Sequence, residues 1–208
     1  MIRSSPQRSR HLSTGPAYAA PTGLARVRSA ALRVALLCAI ASVFQAARAD
    51  SEPSAALILE IESSTFELSV RDARTGERGP TIRVTLGSPA TATPTGRFPL
   101  EKIILSPSWR PGTTARQTGA VPEPASLDTP MGAVKIPFAE DGVISLHGGG
   151  DERALGKPIS AGCVRATDAD LLRVVAWLDS RDALSAAREA PNGEIHRRFQ
   201  RSVELIVR

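Results

Sequence analysis

Residues 57–86 read LILEIESSTFELSVRDARTGERGPTIRVTL. Ile58, Phe66, Leu68, Val70, Ile82, Val84 and Leu86 fall at two-residue spacing in segments rich in β-branched side chains, the period of strands with one face buried. Arg74-Thr75-Gly76-Glu77 supplies a hairpin turn, and Gly87-Ser88-Pro89 ends the third strand. Downstream, Thr93-Pro94-Thr95-Gly96-Arg97-Phe98 is a turn feeding a strand from Leu100 to Leu105. The stretch from Ser106 to Thr129 carries Pro107, Pro111, Gly112, Gly119, Pro122 and Pro124 and is expected to hold no regular structure. A loop of that length inside a compact domain is usually functional or disordered. Gly142 to Leu146 reads as a short strand that delivers His147 at its end. The period then changes: Thr167 with Asp170 three positions later starts a helix as a capping box, and Leu171, Leu172, Val175 and Leu178 are expected to line its buried face. A second helix is expected around Ala183 to Ala190, then a turn at Pro191-Asn192-Gly193 and a closing strand from Ser202 to Val207. The sum is a mainly β chain with one or two helices.

The first 49 residues read as an export leader. Arg3, Arg8, Arg10, Arg26, Arg28 and Arg33 form a basic region without an acid, Val34 to Phe44 is an apolar core too short for a membrane span, and Ala47-Arg48-Ala49 is a cleavage site before Asp50. Seven of the 26 Lys and Arg and none of the 21 Asp and Glu lie there, so residues 50–208 carry 19 basic against 21 acidic groups. The basic balance of the whole chain therefore gives no argument for nucleic acid as a partner. Residues 50–208 suit one domain with one core, exported to the periplasm or cell wall. With Cys38 in the leader, Cys163 is left without an intramolecular disulfide partner in an oxidising compartment.

His147 and Cys163 are each embedded in glycine, as His147-Gly148-Gly149-Gly150 and Ser160-Ala161-Gly162-Cys163. A thiol, a base and backbone clear of side chains are the parts of a cysteine acyl-transfer site. A free cysteine is most often a small buried hydrophobe. Against that stand the poor core packers Ser160 and Gly162, the cation Arg165 and a position ahead of a helix N-terminus, whose N–H groups favour thiolate. His196 lies in a charged run and lacks the glycine setting, which leaves His147 as the base. No CxxC or HxxxH spacing supplies further ligands, so no metal is assigned, and no cofactor. No serine has glycine two residues away on both sides, which excludes the nucleophile elbow of the α/β-hydrolases, and the papain order of cysteine before histidine is reversed here.

Taken together these residues resemble the catalytic domain of the L,D-transpeptidases, the YkuD-like family. Its signature is His-Gly, a gap, then Ser-His-Gly-Cys, an apolar residue and Arg; here it runs His147-Gly148, then Ser160, Gly162, Cys163, Val164 and Arg165. Thr93-Pro94-Thr95-Gly96, Ser106-Pro107-Ser108-Trp109 and Thr129-Pro130-Met131-Gly132 resemble further segments of the family, and the likeness covers roughly Leu57 to Leu178. It implies a β-sandwich or barrel with the active site at a strand end and helix N-terminus, and an acyl-thioester formed with a peptidoglycan tetrapeptide stem. Cys163 is then the nucleophile and His147 the general base and acid, with Gly148, Ser160, Gly162 and Arg165 as oxyanion or substrate-binding candidates. Carbapenems are implied as inhibitors, and another stem peptide or a lipoprotein lysine as acceptor. Ala161 stands where the family has histidine, which keeps an L,D-carboxypeptidase or amidase open as an alternative. A non-catalytic wall-binding module is the alternative from another class.

Overall fold

The computed structural model describes residues 56–208; the leader expected over residues 1–49 lies outside the described residues. Among the described residues the fold is mainly β with two α-helices. Strands β1 (Leu57–Glu62), β2 (Glu67–Asp72) and β3 (Arg78–Arg83) form an antiparallel meander at one end of a nine-stranded sheet. After β4 (Leu86–Gly87) come β5 (Gly96–Leu105), a short helix α1 (Thr113–Gln117), β6 (Val134–Ala139) and β7 (Ile144–His147). Then follow β8 (Pro158–Ser160), β9 (Val164–Arg165), helix α2 (Asp168–Asp179), β10 (Arg188–Glu189) and β11 (Ile195–Val207). The sheet order is β3-β2-β1-β11-β5-β6-β7-β9, with β10 on β11 and a separate β4-β8 pair. Just beyond β3, Thr85 exchanges backbone hydrogen bonds of 2.8 and 3.0 Å with Arg165 of β9, so the two ends of the sheet meet and it curls into a barrel-like layer.

The meander forms for the reasons its sequence gives. In the β2–β3 turn the Asp72 carboxylate accepts from the Arg74 and Thr75 N–H groups at 2.8 and 3.3 Å, and Gly76 takes φ +75°, where a side chain would be strained. Leu57, Leu59 and Ile61 of β1 point into the main core with Leu68 and Val70 of β2, each burial contributing roughly 1.5–3 kcal/mol. Ile58, expected among the core-facing residues, packs instead on the opposite side with Ile206 and Ala73. Helix α2 starts as the sequence indicates: Thr167 Oγ1 accepts from the Asp170 N–H at 3.1 Å and donates to the Asp170 carboxylate at 3.0 Å. Its buried face is Leu171, Val174, Val175 and Leu178; Leu172, expected there, is 44% exposed, because the face drifts with the 3.6-residue turn.

Three expectations fail locally. The 106–129 stretch is not wholly irregular, since α1 fits one turn of helix between Gly112 and Gly119. No helix forms over Ala183–Ala190. Its backbone is taken up by β11, with Ser185 N–H donating to Arg198 O and Gln200 N–H to Ala183 O, both at 2.8 Å, while Ala183 and Leu184 enter the core. The closing strand begins at Ile195, well before Ser202, with a register shift between Arg198 and Val203.

Candidate active site

His147 ends β7, and Cys163 immediately precedes β9. These two strands run parallel, with Leu146 opposite Val164 and His147 opposite Arg165. Leu146 and Val164 are fully buried and clamp the pair onto the core. Continuing the register places Cys163 beside Ser145, two positions before His147. The gap between the two glycine motifs thus folds back to set His147 at the end of β7 and Cys163 just ahead of the adjacent β9. Two strand residues and Ala166 separate Cys163 from the cap of α2, so β9 and the loop before it position the sulfur, rather than the helix end directly.

The imidazole is 2% exposed, and its Nδ1 lies 2.7 Å from the Gly148 carbonyl oxygen. A carbonyl only accepts, so Nδ1 carries the proton and Nε2 holds the free lone pair, the tautomer a general base requires. Burial pushes the imidazole pKa down to about 4 against the raising effect of the Gly148 carbonyl; the cations Arg165 and Lys135 lower it further and Asp168 raises it. His147 is therefore neutral at neutral pH. Cys163 is half-buried, and its thiol donates to the Val143 carbonyl oxygen at 3.7 Å.

The loop carrying the thiol is held from within. Buried Ser160 donates from Oγ to the Cys163 carbonyl at 2.5 Å and accepts from the Gly162 N–H at 3.1 Å. Gly162 takes φ +111°, and a Cβ there would stand 3.0 Å from Ile144 Cδ1. From outside the loop, Thr93 Oγ1 donates to the Gly162 carbonyl at 2.9 Å while accepting from the Gly87 N–H at 2.8 Å. Thr91 Oγ1 donates to the Ser160 carbonyl at 3.0 Å. The Thr93-Pro94-Thr95-Gly96 turn thus buttresses the cysteine loop.

These contacts occupy groups expected at the oxyanion or substrate. The Gly162 N–H is committed to Ser160, and the Gly148 N–H donates to the Val134 carbonyl at 2.9 Å, so neither amide is free to hold an oxyanion. Ser160 is buried and staples the loop through both bonds. Arg165 is exposed, with its backbone bound to Thr85 and no ion pair among the described residues.

Asp168, in the first turn of α2, is a residue the sequence reading missed. Its Oδ1 accepts from the Ala133 N–H at 2.7 Å and from the Gly149 N–H at 3.1 Å, tying the Thr129-Pro130-Met131-Gly132 segment to the glycine run after His147. A Cβ at Gly132 or Gly148 would collide with that carboxylate, which is why both are glycine. The visible signal was a second acid beside Thr167, masked by its fit to an ordinary helix start. The long loop is anchored too: the Glu194 carboxylate accepts from the Ser108 N–H and hydroxyl at 2.9 and 2.6 Å, and Trp109 and Glu123 pair as an isolated bridge.

The family profile described as L,D-transpeptidase catalytic domain (YkuD) matches residues 57–188, more than half the chain. The protein belongs to the L,D-transpeptidase catalytic-domain family. Among solved structures this domain is similar to an L,D-transpeptidase in complex with imipenem, at 17% identity over 74% of this chain and 59% of that one, with TM-score 0.42. It is also similar to L,D-transpeptidase 3 from Mycobacterium tuberculosis, at 16% identity over 74% and 61%, with TM-score 0.45. A third is the catalytic domain of the E. faecium L,D-transpeptidase, at 12% over 73% and 95%, with TM-score 0.40. The chain spans about three fifths of the length of the first two. No curated protein matches the sequence. The match covers β1 through the first residue of β10, and so includes both His147 and Cys163.

Proposed function

We propose that this L,D-transpeptidase domain transfers an acyl group from a peptidoglycan tetrapeptide stem to an amine through a thioester on Cys163. The observation that carries the reading is the His147 ring: Nδ1 is fixed on the Gly148 carbonyl, and Nε2 is left basic on the strand beside a half-buried thiol. In the first step the thiol leaves the Val143 carbonyl and passes its proton to Nε2. The sulfur attacks the carbonyl between the L-centre of diaminopimelate and the terminal D-alanine, the C–N bond breaks, and the departing amine takes the proton back from His147. The Cys163 N–H serves as a loop donor for the oxyanion, and the exposed Arg165 holds a substrate carboxylate. In the second step an acceptor amine replaces sulfur at the carbonyl carbon. The acceptor is a second stem peptide or a lipoprotein lysine. The basic, acid-free leader supports export, so that the reaction takes place in the periplasm or cell wall.

A hydrolytic variant, an L,D-carboxypeptidase, is supported by one observation. Ala161 is exposed and brings no side-chain donor to the position two residues before Cys163. Incubation with tetrapeptide muropeptides separates the two: cross-linked dimers mean transfer, and trimmed monomers alone mean hydrolysis. The shared first step is tested with imipenem. Intact-mass spectrometry is expected to find one adduct on the wild type and none on Cys163→Ala with its circular dichroism unchanged; an adduct retained on the mutant refutes the mechanism, and sacculus binding that persists with no adduct on either protein favours a wall-binding module.

A further inference from the structure

His147 and Asp168 bond to opposite ends of one peptide unit. The carbonyl oxygen of the Gly148–Gly149 peptide takes the His147 Nδ1 proton at 2.7 Å, and the N–H of the same peptide, on Gly149, donates to Asp168 Oδ1 at 3.1 Å. A trans peptide points its C=O and N–H in opposite directions and carries its dipole along that line. The carboxylate and the imidazole are therefore joined through a single polarisable group. A negative charge at the N–H draws electron density onto the carbonyl oxygen, and the oxygen then holds the Nδ1 proton more firmly, because hydrogen bonds in a chain polarise one another.

The fold pins this peptide from both sides. The Gly148 N–H donates to the Val134 carbonyl and the Gly150 N–H to the Ala166 carbonyl, each at 2.9 Å. No side chain fits beside it: a Cβ at Gly148 would collide with the Asp168 carboxylate, and one at Gly149, where φ is +67°, would stand 2.8 Å from the Pro130 carbonyl oxygen. Asp168 has little other work. Thr167 and Asp170 close the helix start between them, so the Asp168 carboxylate caps nothing. Both its bonds come from loop amides to Oδ1; among the described residues Oδ2 has no hydrogen-bond partner and no cation pairs with the group. It is half-buried, so water screens its charge only in part. The other charged groups acting on the ring are Arg165 from β9 and Lys135 from β6, both cations, with the Cys163 thiol ahead of β9. Asp168 is their counterweight.

We infer that Asp168 is the positioning residue behind the base, acting on His147 through the Gly148–Gly149 peptide in the way a carboxylate in direct contact orients the histidine of other nucleophile–base pairs. This role rests on the acyl-transfer reading, with His147 as its base. When the thiol proton moves to Nε2 the ring becomes positive, and the bonds from Nδ1–H to the Gly148 carbonyl and from the Gly149 N–H to Asp168 strengthen together. Asp168 stays ionised and no proton crosses the peptide. When Nε2 returns its proton to the departing amine, both bonds relax.

Asp168→Asn tests this directly. It keeps an oxygen for the Ala133 and Gly149 N–H groups and sets its NH2 where Oδ2 has no bond, so the shape stays and the charge goes. In ligand-free protein with labelled histidine, the NMR signal of the Nδ1 proton should persist but move upfield. The ring's protonation midpoint should fall below the wild-type value of about 4. Imipenem acylation at neutral pH should slow by about tenfold or more, its acid limb moving down with the ring. An asparagine variant whose ring signal and midpoint match the wild type overturns the inference, whatever its rate. Should that variant not fold, the Gly149 amide of the wild type answers. Its proton should move downfield as the ring charges, and this movement should be missing from His147→Gln, while the Ala133 amide, which meets the same oxygen outside the chain of bonds, behaves alike in both proteins. A Gly149 signal that also behaves alike in both overturns the inference. These signals need no ligand, so a protein that shows them yet forms no imipenem adduct undoes the reaction and not the link.

Discussion

The Cys163 sulfur rests 3.7 Å from the Val143 carbonyl oxygen, so in the resting site the thiol proton is held by backbone while the imidazole of His147 waits uncharged one strand away. Under the proposed thioester chemistry, acylation depends on His147 being unprotonated, a state that burial extends down to about pH 4. The rate of imipenem adduct formation is expected to lose its acid limb near pH 4. A limb near 6.5, the value of an ordinary histidine, is the contrary outcome, and rapid-quench mass spectrometry across pH 3.5 to 8 distinguishes them.

The same burial gives a stability signature. Folded, the ring stays neutral to about pH 4; unfolded, it takes a proton near 6.5, so the unfolded state binds more protons between those values. Stability is unaffected above pH 6.5 and falls as pH drops from there toward 4, by up to roughly 3 kcal/mol. Urea midpoints of the wild type should decline across that window more steeply than those of His147→Gln.

Ser160 is expected to matter through the loop and not through contact with substrate. Ser160→Ala removes the bond to the Cys163 carbonyl and orphans the Gly162 N–H, at a cost of about 1–3 kcal/mol. Ser160→Thr keeps the hydroxyl and should recover most of the acylation rate lost in the alanine variant, as measured by adduct formation at fixed imipenem.

Glu194 anchors the start of the long loop. Burial alone would raise its pKa, but hydrogen bonds from the Ser108 hydroxyl, His196, the Ser108 N–H and Asn192 outweigh it and hold the carboxyl at about 2. This contribution is present above the unfolded value of 4.5 and is lost as pH falls through about 2. At neutral pH, Glu194→Ala should speed hydrogen exchange at Ser108 by about tenfold or more while leaving α2 protected; uniform acceleration throughout would mean global destabilisation instead.

Much of this was legible because it is local. The Thr167 cap, the Gly76 turn and the delivery of His147 by a strand depend on neighbours within four residues, and the two glycine motifs singled out His147 and Cys163 as candidates. What was not legible depends on partners distant in sequence. The strand beginning at Ile195 is disguised by Arg197, Arg198, Gln200 and Arg201, which lie on its more exposed stretch. The roles of Asp168 and Thr93 exist only once the loops of residues 132 and 162 fold against them. Likewise, nothing local to Gly148 or Gly162 reveals that their N–H groups already have partners.

β11, the final strand, lies between β1, to which it is parallel, and β5. Among the described residues it is the strand that joins the meander to the half-sheet of β5, β6, β7 and β9, the other link being the single Thr85–Arg165 bridge. β11 also follows His147 and Cys163 in the chain, so during synthesis from the amino end both side chains emerge before the strand that locks their scaffold.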